Sequence, residues 1–216
     1  MYEFWLYLHI LLLVFWVGTD LGVFLAARYS ERASLSYETR ATVLQVGMVL
    51  DRLPRSALAI IIPSGLSLSA AAGIMQPPGL LIPLAWLVGA IWIVILWRGF
   101  LSAEPKVQEQ SAIINWLLNM AMAPLVTGAG LYLLLATSTP SWIAWKVIAV
   151  GAIFVVGVLL DFFFKPAVGY FAALAETPED PALNASYARA LVPVYVTVLM
   201  IYALALAAAA LGVFKP

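Results

Sequence analysis

A single histidine, His9, lies inside an unbroken apolar block, Phe4 to Ala27, that reads FWLYLHILLLVFWVGTDLGVFLAA. An imidazole in such surroundings costs free energy unless it has a partner or a task. The chain has no cysteine, so His9 is also its only strong ligand for a soft or borderline metal ion, or for heme iron. One chain cannot supply two axial histidines. A bound heme would therefore be five-coordinate, ligated by His9 with methionine or lysine, or shared between copies of the chain. Lys146 is a second nitrogen base within an apolar stretch, and its ammonium suits an anionic group on a ligand. Asp20 and Asp161 lie deep in apolar blocks, where a carboxylate must pair or protonate. Arg52, Arg55 and Arg28 are the cations that approach them. The acids then either fix helix packing through Asp–Arg pairs or form a proton or cation relay. The plain reading of His9 and Lys146 is interfacial anchoring, with Lys146 snorkelling among Trp5, Tyr7, Tyr132, Trp142 and Trp145.

The elements that position these groups must be membrane spans. Of 216 residues, 64% are hydrophobic and only 10% charged, against about 25% charged in soluble domains. So much apolar surface cannot be hidden in one core, and lipid must be the solvent. Zero net charge argues against nucleic acid as a partner. The opening residues MYEF lack a basic region and the first block is too long for a cleaved signal, so none is expected. Apolar blocks at 4–27, 56–73, 80–101, 112–136, 142–164 and 187–214 each approach or exceed the roughly 17–25 residues a span needs. This predicts an all-α integral membrane protein of six spans, one domain over residues 1–216. Residues 38–55 are amphipathic. They either extend span two as one long helix or lie on the membrane surface, with Pro54 and Pro63 as breaks.

Arg28, Arg32, Arg40, Arg52 and Arg55 precede span two, Arg98 and Lys106 follow span three, and Lys165 and Arg189 fall between spans five and six. The connections IMQPPG and TSTPS carry no charge. The positive-inside rule then places both termini outside the cytoplasm, with Lys215 running against it. Spans two–three and four–five are tight hairpins. SGLSLSAAA with PLAWLVGAIWIV parallels TGAGLYLLLA with WIAWKVIAVGAIFVV, as a parallel internal duplication would.

Orientation converts position into depth. His9 and Lys146 each lie about five residues below the outer face, roughly 7 Å inside at the helical rise. Asp20 and Asp161 share a deeper layer on the inner side. Equal depth predicts that spans one and five are neighbours and that His9 lines an outer-side cavity wide enough for a flat ring. It also predicts arginine partners for both aspartates. Gly18 and Gly22 form a GxxxG suited to close helix approach, Asn115 and Asn119 to bonds between helices, and the methionines to core or lipid. There is no nucleotide loop, HExxH or GxSxG.

His9 followed by Trp16 in LHILLLVFW resembles the first helix of HemJ-type protoporphyrinogen oxidases. Trp142-Ile-Ala-Trp-Lys146 is similar to their later Trp/Lys helix, and YARALVPVYVTVLMIYALALAAAALGVFK to their closing segment. The likeness covers span one and spans four to six. It implies heme b on His9, Trp16 and Trp142 beside it, and Lys146 as a functional lysine. Arg28 would match an arginine after the first helix, though its spacing from Trp16 is longer here. The implied activity is oxidation of a porphyrinogen, with electrons passed to quinone. Ala144 stands where that family has histidine, another histidine is missing near Asp161, and the span two–three hairpin is extra. The chain is also similar to the CopD-type copper-resistance membrane domain, through Thr127-Gly128 and Arg52/Arg55, which implies copper or cation transport. The expected object is thus a bacterial inner-membrane protein, a heme or porphyrin redox protein first and a copper permease second. The third reading is a structural or assembly subunit. A homo-oligomer is compatible with all three.

Overall fold

Inside a bilayer each backbone amide must find its partner within the protein, which for a single apolar block means a helix. A computed structural model describes residues 1–215, Pro216 lying outside the description, and every apolar block is helical. The helices are α1 (Tyr2–Ser30), α2 (Tyr37–Leu50), α3 (Arg52–Ala71), α4 (Leu81–Leu101), α5 (Pro105–Ala136), α6 (Ser141–Ala173) and α7 (Pro181–Phe214). No strand occurs among the described residues. Six segments are long and apolar enough to cross a membrane, with α2 and α3 together forming one of them. This is an all-α, six-span membrane protein. Large apolar side chains such as Phe15, Val94 and Leu125 stand exposed on its outside, as a lipid solvent requires.

Residues 38–55 extend span two as a helix alongside α1. A Cβ on Gly47 would meet that of Ala26, and one on Gly22 would meet Leu50. The break falls at Asp51, just before Pro54. Proline is free of cost there, because the first turn of α3 has no acceptor for its missing N–H. Pro63 is absorbed inside α3. Within the GxxxG only Gly22 is a packing position; Gly18 faces open space.

Crossing six times brings both termini, the α3–α4 loop and the α5–α6 loop to one end, here the termini end. The α1–α2, α4–α5 and α6–α7 loops form the other, the loop end. Helices α6 and α7 have 33 and 34 residues, so each runs about 50 Å, well past a hydrocarbon core of about 30 Å. Their loop-end turns, with the end of α1 and with α2, bury Ala167, Phe171, Leu174, Tyr187 and Leu191 in a cluster of their own.

Helix α6 packs on α5 and α7, and α1 packs on α2 and α3, touching α7 lightly. Spans one and five, α1 and α6, are therefore not direct neighbours as equal depth had suggested. They stand across the bundle, and their side chains enter one core: Leu12 and Trp16 from α1, Ala57 and Ile61 from α3, Ile153 and Val156 from α6, Ile201 and Ala205 from α7. Depth follows from helical rise alone, whereas adjacency depends on which faces are complementary.

Candidate functional site

His9, Trp16 and Asp20 are separated by whole numbers of turns, within about 20° of one face at 100° per residue. The first turns inward at the termini end. His9 Nδ1 lies 2.9 Å from Ser64 Oγ on α3, and Ser64 Oγ also donates to the Ile61 carbonyl at 2.8 Å. The ring edge rests on Gly65, where an added Cβ would come within 3.3 Å of His9 Cε1. Among the described residues the other ring nitrogen has no hydrogen bond and is not sealed off.

Lys146 reaches the same layer from α6 and lies within electrostatic reach of His9. Its Nζ sits over Gly212 of α7, where a Cβ would approach to 2.7 Å. No carboxylate pairs with it among the described residues. Each side chain thus lies on a glycine of a neighbouring helix, and each keeps a nitrogen with unused bonding capacity. The surroundings are partly a belt, with Tyr7, Tyr132 and Trp145 exposed. Trp5 instead packs on Trp86 at 5.7 Å, whose indole donates to Ser67 at 3.0 Å.

Trp16 is not beside His9 but two turns deeper, buried in the apolar cluster that separates the two polar layers. Trp142 lies at the end of α6 with Lys215 Nζ 6.0 Å from its ring. Ala144 is fully buried, its carbonyl 3.2 Å from a Cβ placed on Gly130 of α5.

Beyond the plug, Arg55 is the hub of the deeper layer. Its Nε donates to Asp51 Oδ2 at 2.5 Å, and its NH2 faces Asp161 Oδ1 at 3.9 Å. Asp161 thus has its expected arginine, loosely held. Asp20 does not: no cation lies within salt-bridge distance, and its neighbour is the Tyr202 hydroxyl on α7. Arg52 stacks on Phe100 at 5.6 Å instead of pairing with an acid. Arg28 is half-exposed at the loop end of α1, bonded to Glu31 at 2.7 Å and lying over Tyr195 at 5.0 Å. It belongs to neither layer.

Three participants were not singled out from the sequence. Ser64 has no motif and lies far along the chain from His9. Asp51 reads as a helix boundary in an amphipathic stretch. Arg40 reads as one more loop cation but is enclosed at the loop end. Asn115 meets its expectation by accepting from Trp92 across α4 and α5 at 2.9 Å, whereas Asn119 bonds within its own helix. Comparison with known protein families, characterised proteins and solved structures finds no match.

An imidazole oriented through one nitrogen and open at the other can ligate a metal centre. An unpaired ammonium beside it can hold a carboxylate or phosphate. For heme the donor chemistry fits, one ligand nitrogen with one cation for an acidic side group. For copper the donor set is thinner. Met48, Met120 and Met200 face outward, and no group of three or more histidine or acidic residues converges among the described residues.

Proposed function

We propose that the chain is a membrane redox protein of HemJ-like type that binds a heme or porphyrin through the His9–Lys146 layer. One observation carries this reading: two inward-turned nitrogen functions at one depth, each with bonding capacity that no protein group uses. Ser64 would fix the ring of His9 so that its free nitrogen is presented to iron. Lys146 would neutralise a propionate, and Gly65 and Gly212 leave room for both side chains to stay in place. When bound, heme supplies one-electron chemistry; the substrate would be a porphyrinogen and the acceptor a membrane quinone. Asp20, Asp161 and Arg28, implicated by the sequence, stand apart from this layer and would serve elsewhere.

Protein purified from heme-replete cells should show a Soret band that His9→Ala abolishes, Lys146→Ala weakens and Ser64→Ala shifts. A colourless protein that takes up no hemin, or a His9→Ala protein with an unchanged spectrum, would overturn the reading.

The chain is proposed to lie in a bacterial inner membrane with both termini outside the cytoplasm. Seven of the eleven basic residues lie at or near the three loop-end connections and only Lys146 and Lys215 toward the termini end, Arg52 and Arg55 lying within span two; the positive-inside rule makes the loop end cytoplasmic. A reporter that is active only outside the cytoplasm, fused after Phe214, should be active; the same reporter in the α4–α5 loop should be silent. The opposite pattern would invert the assignment.

A further inference from the structure

A groove of about 440 Å³ lies between α6 and α7 toward the loop end. Pro166 and Tyr170 line it from one helix, Ser186, Arg189 and Ala190 from the other, and none of them is acidic. Arg189 is exposed, and its guanidinium is held only by long bonds, Nε to the Ala185 carbonyl and NH2 to Ser186 Oγ, both at 3.3 Å. Lys165, the residue before Pro166, is exposed as well. Neither cation forms a salt bridge among the described residues, although Asp161 lies one turn from Lys165. Tyr170 adds an exposed phenol. Depth sets these groups at the membrane interface. Lys165 lies nineteen residues beyond Lys146 on α6, and Arg189 twenty-three before Gly212, the residue under Lys146, on α7. Both are therefore about 28–35 Å from the Lys146 level. Lys146 is itself inside the opposite face, so the two cations reach the headgroup level of a hydrocarbon core about 30 Å thick. Toward that core the surface turns apolar. Phe162 and Leu159 repeat the direction of Pro166, and Val192 and Val196 that of Arg189, within about 60° at 100° per residue. All four are exposed.

We propose that this groove is a binding site for one anionic phospholipid. Arg189 and Lys165 hold its phosphate, and an acyl chain runs along the track between Phe162 and Leu159 of α6 and Val192 and Val196 of α7. The guanidinium fork matches two phosphate oxygens, and its present bonds are long enough to be exchanged for them. Lys165 adds a mobile point charge from the other wall, and Ser186 and Tyr170 offer hydroxyls. Basic pockets between membrane helices bind anionic headgroups in this way. Charge alone would suit any phosphate. The track favours a lipid, because it continues the groove into hydrocarbon, where only a chain can follow. The occupant would brace the long loop-end turns of α6 and α7 where they leave the hydrocarbon. The site is remote from His9 and holds whether or not His9 binds heme.

Native mass spectrometry of the full chain released from detergent micelles tests it, with phosphatidylglycerol or phosphatidylcholine of the same chains as titrant. Wild type should hold one phosphatidylglycerol about tenfold or more tighter than phosphatidylcholine, as two cations at a membrane surface allow. Arg189→Gln and Lys165→Gln should each weaken phosphatidylglycerol about fivefold and leave phosphatidylcholine unchanged. Ala190→Phe fills the groove without changing charge and should weaken phosphatidylglycerol as well. Arg98→Gln, at the loop end of α4 and outside the groove, should change neither lipid. Millimolar inorganic phosphate should not displace the bound lipid, because it has no chain to fill the track. Wild type without a preference between the two lipids would overturn the site. So would an equal loss in Arg98→Gln and Arg189→Gln, which is what snorkelling cations on a generally basic rim predict. Displacement by phosphate would make it a free-anion site. A lipid-free dimer that Arg189→Gln abolishes would mean that a second copy of the chain covers the groove, and either result overturns the lipid.

Discussion

Arg40→Met is expected to cost the protein about 3–5 kcal/mol, as the loss of a group from a buried charged network does. Much of the chain should then fail to reach the folded state. Arg40 is 1% exposed, and no carboxylate neutralises it among the described residues. Its charge is held by oriented dipoles and ring faces: Nε donates to the Ser30 carbonyl at 2.6 Å and NH1 to Asn184 Oδ1 at 2.8 Å. The rings of Phe171 and Tyr187 lie 5.9 and 5.8 Å from the guanidinium carbon. Those partners are bound in turn. Ser30 Oγ meets the Tyr187 hydroxyl at 2.6 Å, and Asn184 Nδ2 donates to the Pro178 and Asp180 carbonyls. One side chain from α2 therefore ties the end of α1, the α6–α7 loop and the start of α7. Methionine fills the volume but leaves two buried acceptors without donors, each costing about 1–3 kcal/mol. Lysine keeps the charge but not the fork, so Arg40→Lys should fall between Met and wild type. Thermal unfolding in detergent, with Arg32→Gln in the adjoining loop as control, measures this. Equal stability of Arg40→Met and Arg32→Gln would refute the keystone role.

Arg40 also marks the boundary of what could be read from residues alone. Its partners lie 10 and 144 positions away, and nothing local separates it from Arg32, which remains outside. The spans were legible because apolar length is a local property that lipid enforces. Depth was legible too: a fixed helical rise placed His9 level with Lys146, and Asp20 within one layer of Asp161. Azimuth was legible along single helices, since His9, Trp16 and Asp20 repeat at whole turns. Which helices touch was not. The α1–α6 adjacency failed because two inward faces at one depth can oppose each other across a bundle without their backbones meeting. The arginine expected for Asp20 failed for a related reason: Arg55 was identified, but Asp51, one turn before it in the same stretch, takes it first. The α5–α6 contact, by contrast, is written in small residues.

Gly151→Val is expected to separate α5 from α6 and to destabilise the protein by about 3 kcal/mol or more, at the upper end for overpacking. A Cβ at Gly151 would meet the Thr127 backbone, its N at 2.7 Å and Cα at 2.9 Å, with the Thr127 hydroxyl closer still. The reciprocal position behaves alike: a Cβ on Gly130 of α5 would come within 2.8 Å of the Ile148 nitrogen and 3.2 Å of the Ala144 carbonyl. Both clashes involve backbone, so no rotamer change relieves them and the helices must part. In lipid that is costly, because helix association there rests on close packing rather than on water exclusion. Parting would also disturb Lys146, which lies on α6 between these contacts and Gly212. Gly151→Ala should therefore already lower the unfolding temperature in detergent and weaken whatever binds at Lys146. Gly128 and Gly157 lie on the same two helices with nothing near their missing Cβ. Gly128→Ala and Gly157→Ala should stay within about 0.5 kcal/mol of wild type, as surface changes do. If all three alanine variants unfold together with wild type, the α5 and α6 backbones are not in contact, and Lys146 is not held by the packing described.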